Sequence, residues 1–197
     1  MKSSVWFAVV AGAWLGTADR VAAQEPKPNP MEAMIERSKR LSEPGPSHKR
    51  LERFLGKWET ETRFYVFGTA TTPEKATAEF SWLVKGRWLK GSWSGAFGGQ
   101  PAEGFILIGY DNFRQNYVTT AVTSLDTRMS CTRGDMESDK ALMTYGTYDE
   151  YTTGEPDRMI KHVWRFVSPD KIVFERYDLA FLEPNSKEQE TTYTRVQ

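Results

Sequence analysis

The sequence predicts an all-β protein: a closed, antiparallel, up-and-down β-barrel of about ten strands with a short N-terminal capping helix. From Trp58 onward, aromatic and β-branched residues fill about ten short segments separated by turns rich in Gly, Pro, Asn and Asp. These connections are too short for crossover helices, so neighbouring strands pair antiparallel. Closing the sheet removes its two exposed edges, and an even strand count lets the first and last strands pair antiparallel.

Residues 1–23 have the order of a secretory signal peptide. Lys2 is followed by an apolar stretch over residues 5–15, and residues 21–23 supply the small side chains that a signal peptidase reads. The apolar stretch is shorter than the about 20 residues that a membrane-spanning helix needs. We therefore expect an exported protein, periplasmic or secreted, with no membrane span after cleavage. An uncleaved N-terminal anchor is the alternative.

Residues 24–46 form a Pro-rich leader in which Asn29-Pro30 predicts the start of a short helix. The barrel domain then spans residues 47–197. Its first element is a short helix over residues 47–55, with Ser47 as N-cap and His48 exposed beside that cap. Gly56 follows where a left-handed C-cap residue belongs. Two turns are not stable alone, so this helix must pack on the strands and plug one barrel end.

Charge and cysteine content restrict the class of protein. The chain carries 26 basic and 26 acidic residues with no basic stripe, so no nucleic-acid partner is predicted. The single cysteine, Cys131, excludes an internal disulfide, and we interpret it as a small buried apolar side chain, with a reactive thiol as the alternative. A domain of this length can be held by its core alone.

The sequence contains no nucleophile motif and no phosphate loop, which favours a protein that is not an enzyme without deciding the question. Two histidines and one cysteine predict no metal site. The acidic loops near residues 135–139 and 149–157 lack the spacing of a calcium loop and are interpreted as solvated turns.

The alternation of side chains predicts which of them face the barrel interior. In the eighth predicted strand, Ile160, His162, Trp164 and Phe166 share one face. An aromatic lining suits a flat apolar or amphipathic ligand, or else a packed centre. The predicted lining is Trp82, Trp93, Phe97, Phe105, Leu107, Trp164 and Phe174, with Tyr110, Tyr145 and His162 as polar anchors.

Two sets of motifs carry a resemblance to known families. The Gly56-Lys57-Trp58 start resembles the calycin superfamily, which includes lipocalins and fatty-acid-binding proteins. The segments "HKRLERFLGKW", "KGRWLKGSWSG", "GFILIGYDN" and "ETTYTR" resemble, in order, the lipocalin-like domain of unknown function 1579. This resemblance covers His48 to Arg195 and implies the barrel fold but little about activity.

The calycin resemblance implies an arginine of the last strand lying across the tryptophan of the first. Arg195 is that arginine and Trp58 that tryptophan, because antiparallel first and last strands place both at the same barrel end. The pair is predicted to be a structural latch between the capping helix and the seam. Fatty-acid-binding proteins hold the ligand carboxylate with an Arg-x-Tyr pair, whereas this chain has the reverse order, Tyr193-x-Arg195.

Three functional hypotheses follow. The first is a binding module that holds a small apolar or amphipathic molecule in the aromatic-lined interior. The second is a haem-binding or catalytic barrel that uses His162, since a similar small barrel, nitrobindin, binds haem through one histidine, and a neutral imidazole is a suitable iron ligand. The third is a barrel filled by its own aromatic side chains that serves as an interaction surface. The ligand's identity and the oligomeric state are not predicted.

Overall fold

The computed structural model describes residues 29–66, 68–150, 153–182 and 186–197. The predicted signal peptide and residues 24–28 of the leader lie outside this part. Helix α1 (Pro30–Ser42) begins where the sequence predicts, because Oδ1 of Asn29 accepts the N–H of Met31 at 3.0 Å. None of its side chains is buried. The chain divides into two compact units between Arg37 and Ser38, and the barrel lies in the second.

The second unit contains an antiparallel sheet of eleven strands. They are β1 (Gly56–Val66), β2 (Thr69–Ala70), β3 (Glu74–Val84), β4 (Trp88–Phe97), β5 (Gln100–Asp111), β6 (Asn116–Thr123), β7 (Ser130–Glu137), β8 (Ala141–Glu150), β9 (Glu155–Ser168), β10 (Lys171–Asp178) and β11 (Lys187–Arg195). Ten long strands follow one another in chain order, and the two-residue β2 pairs only with the end of β1. The predicted ten-stranded barrel is confirmed, and among the described strands β2 is the one that the sequence did not predict.

The barrel closes where β1 pairs with β11. The register runs from Trp58 opposite Arg195 to Phe64 opposite Gln189. Each of the ten long strands therefore pairs with a strand on both sides. The barrel has no exposed strand edge among them that could pair with another chain and start aggregation. Inside the seam, the hydroxyls of Thr62 and Thr191 lie 2.9 Å apart.

A capping segment precedes β1 and closes one end of the barrel. It consists of α2 (Pro46–Lys49) and a 3₁₀ helix (Arg50–Phe54). Leu51 and Phe54 are fully buried, and Phe54 packs edge-on against Trp164 with ring centroids 5.3 Å apart. Phe54 also packs against Phe80, whose ring lies so close over Gly91 that a Cβ at this glycine would overlap it.

The start of this segment differs from the prediction. Gly45, not Ser47, is the N-cap, because Pro46 takes the first helical position, where its fixed φ suits the helix. The N–H of Gly45 donates to Nδ1 of His48 at 3.1 Å. His48 is only 5% exposed, so the prediction of an exposed histidine was wrong. Gly56 does adopt a positive φ, of 115°.

Cys131 was also predicted on the wrong face. It lies on β7, one residue before the buried Thr132, and alternation therefore places its side chain outside the barrel, where it is exposed. Its Sγ lies 3.6 Å from Oγ1 of Thr120.

Two side chains of the barrel donate hydrogen bonds to main-chain carbonyls at the end of the leader. Nδ2 of Asn112 donates to the carbonyls of Leu41 at 2.9 Å and Glu43 at 2.8 Å. Nε of Arg87 donates to the carbonyl of Ser42 at 3.1 Å. Among the described helices, none is both long and apolar enough to cross a bilayer.

Candidate functional site

The candidate site is the part of the barrel interior that the capping segment does not fill. Register places Trp93, Ile106, His162, Phe174 and Tyr193 on the inward face of their strands. All five side chains are half-buried on the inward face, and Trp93 also borders a groove at the outer surface. The interior therefore retains space beside these side chains, and we call this group of five the inner chamber.

Aromatic rings form one wall of the inner chamber. The ring centroid of Phe174 lies 4.5 Å from that of Trp164 and 5.2 Å from that of His162. The ring of Trp164 lies in turn 5.6 Å from that of Tyr193. Flat apolar surface of this kind suits a flat apolar ligand.

Three polar groups of this wall have no hydrogen-bond partner among the described residues: the buried indole Nε1 of Trp164, the imidazole of His162 and the hydroxyl of Tyr193. The side chains of His162 and Tyr193 keep part of their surface exposed. Burial, assisted by the charge of Arg176, lowers the pKa of His162 to about 3, so its imidazole is neutral at pH 7. Burial also raises the pKa of Tyr193, which stays protonated.

A row of buried threonines leads to His162 across the neighbouring strands. Oγ1 of Thr132 lies 2.7 Å from that of Thr119 and 2.7 Å from that of Thr144. Thr144 is directly opposite His162 in the β8–β9 pair. Sequence reasoning missed this row, although the alternating threonines of "YVTTAV", "CTRG" and "MTYG" were a visible signal.

A charged cluster lies toward the open end of the barrel, beyond the inner chamber. The hydroxyl of Tyr148 lies 2.9 Å from Asp178 Oδ2, 3.1 Å from Glu188 Oε1 and 3.2 Å from Glu150 Oε2. Arg158 is paired with the buried Asp178. The sequence analysis did not single out this cluster, because its members come from four separate strands and loops.

Arg176 belongs to this cluster and lies closest to the inner chamber, opposite His162 in the β9–β10 pair. Its Nε lies 2.9 Å from Glu188 Oε2, so the two side chains form an ion pair. The geometry of this contact is not that of a hydrogen bond. Its guanidinium also lies 4.5 Å from the ring centroid of Tyr148. Burial raises the pKa of Glu188 even though Arg176 opposes that shift.

The structure brings together only some of the predicted lining residues. The rings of His162, Phe174 and Trp164 meet in the interior, although Trp164 is itself buried in the core. Trp93 also faces the interior and packs against the core cluster. Phe97 lies at the open rim, edge-on to Phe64 with ring centroids 4.9 Å apart.

Two more of the predicted residues lie at the capped end instead. Trp82 is half-buried against the core there. The ring centroid of Tyr110 lies 4.9 Å from that of Tyr117 and 5.5 Å from that of His48. Neither side chain forms part of the wall around Phe174.

Three predicted lining residues point away from the interior. Phe105 and Leu107 lie on the outer face of β5, where Phe105 is 37% exposed and Lys90 lies 5.5 Å from its ring. Tyr145 lies on the outer face of β8, opposite Lys161, and is 42% exposed. The segment "GFILIG" is apolar on both faces, so alternation alone could not select the inward one.

Two grooves lie on the outer surface of the barrel. One, of about 730 Å³, crosses β1, β3, β4, β5 and β6, and the outward side chains around it include Lys57, Glu79, Phe105 and Val122. The other, of about 560 Å³, is flanked by charged and hydroxyl side chains of β1, β3 and β11. The residues around both grooves belong mostly to the outward face of the sheet, but Trp93 of the inner chamber also borders the first groove. The second groove is bordered by none of the five inner-chamber residues.

The predicted contact between Trp58 and Arg195 is present at the seam. The guanidinium of Arg195 lies 4.1 Å from the ring centroid of Trp58, whose Nε1 donates to the carbonyl of Phe54 at 2.8 Å. Arg195 also donates to the carbonyls of Leu55 and, at 3.3 Å, Arg53. These contacts hold the end of the capping segment, so Arg195 is engaged away from the inner chamber.

No metal centre accompanies this arrangement. In the described ranges, no three side chains of His, Cys, Asp or Glu are grouped so that they could hold a metal ion. What the inner chamber offers chemically is aromatic surface together with two uncharged hydrogen-bonding groups, the imidazole of His162 and the hydroxyl of Tyr193.

The fold and the chamber define a closed up-and-down β-barrel with a plugged end and an aromatic interior. The chain belongs to the family described as "Protein of unknown function (DUF1579)", whose profile matches residues 43–195. No curated protein matches the sequence.

Several solved structures are similar to this chain, and one of those with a TM-score above 0.5 supports the fold. Rv2717c from M. tuberculosis has 10% sequence identity and a TM-score of 0.52, over 79% of this chain and all (100%) of that one. A de novo designed fluorescence-activating β-barrel has 14% identity and a TM-score of 0.40, over 74% of this chain and 95% of its own. The redesigned barrel mFAP0, bound to DFHBI, has 9% identity and a TM-score of 0.36, over 73% and 99%.

Proposed function

We propose that the protein is a small-molecule-binding module that holds an apolar or amphipathic ligand in the inner chamber. The observation that carries this proposal is the half-buried state of inward-facing aromatic side chains, chiefly Trp93, Phe174 and Tyr193, in the interior of a closed barrel. A ligand that covered them would bury apolar surface at about 25 cal/mol per Å². His162 and Tyr193 supply the few polar contacts that fix a ligand's orientation.

A pair of neighbouring substitutions tests where binding occurs. Ile106 faces the chamber and Leu107 faces outward, and both are half-buried on β5. Ile106→Trp should fill the chamber and lower the affinity for apolar probes at least ten-fold, whereas Leu107→Trp should leave the affinity unchanged. Tryptophan fluorescence titrations with neutral terpenoids and polycyclic aromatics measure both variants, and circular dichroism checks that each variant folds.

The competing hypothesis is a barrel that binds no small molecule and presents an interaction surface. The outer grooves, with their mixture of charged side chains and exposed Phe105, support that alternative. If no probe binds the wild type, or if Leu107→Trp weakens binding and Ile106→Trp does not, the chamber is not the site.

Haem binding through His162 is the second candidate function. Its imidazole is neutral, inward-facing and without a hydrogen-bond partner among the described residues, which suits an axial iron ligand. Haem titrated into the protein should then give a shifted Soret band that His162→Ala abolishes. An unshifted Soret band would dismiss this candidate and leave the binding of other apolar molecules untouched.

We further propose that the protein is exported to the periplasm or secreted. The support is the order of residues 1–23, with a basic start, an apolar core and small residues before Gln24. N-terminal sequencing of the protein from its native cells should begin at Gln24. A chain that keeps residues 1–23 in the cytoplasmic fraction would contradict export.

We also propose that the barrel is related to the calycin superfamily. Support comes from the Gly56-Lys57-Trp58 start, the capping segment and the contact of Arg195 with Trp58. A profile comparison with experimentally solved calycins that shows no matching Trp–Arg pair would remove this support.

A further inference from the structure

We infer that the inner chamber selects an uncharged ligand: a flat, mostly apolar molecule that carries one or two hydroxyl or carbonyl groups and no ionised group. This inference rests on the proposed function and names the class of ligand for the same site. It excludes fatty acids and other carboxylates, which the resemblance to fatty-acid-binding proteins would otherwise suggest.

The inward-facing cations are already paired. In the strands that the structure describes, the basic side chains on the inward face are Arg158, Arg176 and Arg195. Arg158 is paired with Asp178, Arg176 lies 2.9 Å from Glu188, and Arg195 lies 3.2 Å from Asp170. Each inward guanidinium is therefore already balanced by a carboxylate, although Nε of Arg158 and Nε of Arg176 donate no hydrogen bond within the described residues.

An unbalanced charge is costly to bury. An ionised group that leaves water for an apolar interior loses its hydration unless a partner compensates it. Glu188, Glu150 and Asp178 lie beyond the chamber together with Arg158 and Arg176, so this cluster has three carboxylates against two guanidiniums and offers an entering anion no net attraction. An uncharged molecule meets no such cost.

His162 and Tyr193 can both hydrogen-bond to a ligand. A neutral imidazole presents one donor and one acceptor, and a phenol hydroxyl can act as either. Of the two stacked rings, Phe174 contacts the half-buried His162 and Trp164 contacts the half-buried Tyr193. A hydroxyl or carbonyl group satisfies such partners, and the flat rings suit a planar ligand body.

Matched ligands test the inference on the wild-type protein. Retinal and retinoate share one polyene, and 2-acetylnaphthalene and 2-naphthoate share one ring system, while only the second member of each pair is charged at pH 7.5. In equilibrium dialysis, the neutral member should bind at least ten-fold more tightly than its partner. Equal affinity within both pairs would overturn the inference and leave the proposed function standing. Binding of neither pair would contradict both.

A charge-removing variant tests the reason for this selectivity. Glu188→Gln keeps the size of the side chain and leaves Arg176 without its acid. The variant should bind retinoate or 2-naphthoate about ten-fold more tightly than the wild type, with unchanged affinity for the neutral member. Glu190→Gln on the same strand, whose carboxylate pairs with Lys187, is the matched control and should change neither affinity.

If Glu188→Gln folds and gains no affinity for the anion, the pairing of Arg176 is not the reason for the selectivity and the explanation from paired cations is overturned. The thermal midpoint and circular dichroism spectrum of each variant establish folding. Should the Glu188 variant not fold, the comparison of neutral and charged ligands on the wild type decides alone.

Discussion

The imidazole of His162 couples the stability of the barrel to pH. Its pKa falls from the ordinary 6.5 to about 3, because burial and the charge of Arg176 disfavour the protonated form. Below pH 6.5 the unfolded chain takes up a proton that the folded chain refuses, so stability present above pH 6.5 is lost as the pH falls toward 3. By pH 5 the loss is on the order of 2 kcal/mol.

Urea unfolding at pH 7 and pH 5 measures this loss, and His162→Gln should remove most of it. His48 contributes with the same sign, because burial lowers its pKa as well. Glu188 contributes with the opposite sign, since its raised pKa lets the folded state take up a proton first. An equal loss in the wild type and in His162→Gln would show that the chamber does not keep this imidazole neutral.

The side chain of Arg195 contacts both the seam and the capping segment. Arg195→Lys retains the charge but loses the planar stack on Trp58 and the forked contacts with the carbonyls of Arg53 and Leu55. We expect a loss of about 1–3 kcal/mol in the free energy of unfolding. Arg63→Lys, at a more exposed ion pair with Glu61, should cost less than about 0.5 kcal/mol.

Chemical denaturation of both variants measures the loss in the free energy of unfolding and shows whether Arg195 stabilises the barrel. If Arg195→Lys were no more destabilising than Arg63→Lys, the contact at the seam would not contribute to stability. The Trp58–Arg195 contact could be predicted because the calycin resemblance implies it and because both residues lie near the ends of a closed barrel. The burial of His48 could not, since it depends on the local packing of a four-residue helix.

The capping segment closes one end of the barrel. Phe54 is fully buried among Phe80, Trp164 and Phe166. Phe54→Ala should therefore cost about 3–5 kcal/mol through lost apolar contact and the cavity that it leaves. Glu52→Ala, at an exposed position of the same 3₁₀ helix, should cost less than about 0.5 kcal/mol.

Thermal and urea unfolding measure these two variants. A small cost for Phe54→Ala, similar to that of Glu52→Ala, would mean that the segment lies on the barrel without closing it.

The sequence predicted this element from the spacing of Leu51, Phe54 and Leu55. Its conversion to a 3₁₀ helix after Lys49 is a matter of packing that periodicity does not report.

Strand faces show where sequence reasoning succeeds and where it stops. In β9, charged Lys161 and Arg165 alternate with Ile160, His162 and Trp164, and the predicted inward face is correct. In β5, apolar residues occupy both faces, and the choice of Phe105 and Leu107 was wrong. The outward apolar side chains of β5 are covered in part by long neighbours such as Lys90, a contact between strands that one strand's pattern cannot show.

In the molecule as a whole, the closure of the barrel can be predicted from the sequence. The arrangement of the side chains in its interior cannot. Ten segments with short turns leave a barrel as the arrangement without free edges, and the β1–β11 pairing confirms it. The threonine row, the charged cluster around Tyr148 and the unpaired state of His162 each depend on strands far apart in sequence. Those features require the three-dimensional register.

The barrel interior changes in character along its axis. At the capped end lies a packed core that includes Leu51, Phe54 and Trp58. The apolar residues of the inner chamber pack against this core, and the carboxylates around Tyr148 lie beyond them. The proposed function requires that the half-buried surface of these residues be available to a ligand.

Side-chain NMR during titration with a neutral probe shows whether a ligand enters the inner chamber. The aromatic signals of His162, Phe174 and Tyr193 should shift with a single saturating isotherm. The signals of Phe105 and Tyr145, on the outer face, should stay in place. Shifts confined to Phe105 and its neighbours in the outer groove, or no shift in any aromatic signal, would contradict ligand binding in the inner chamber.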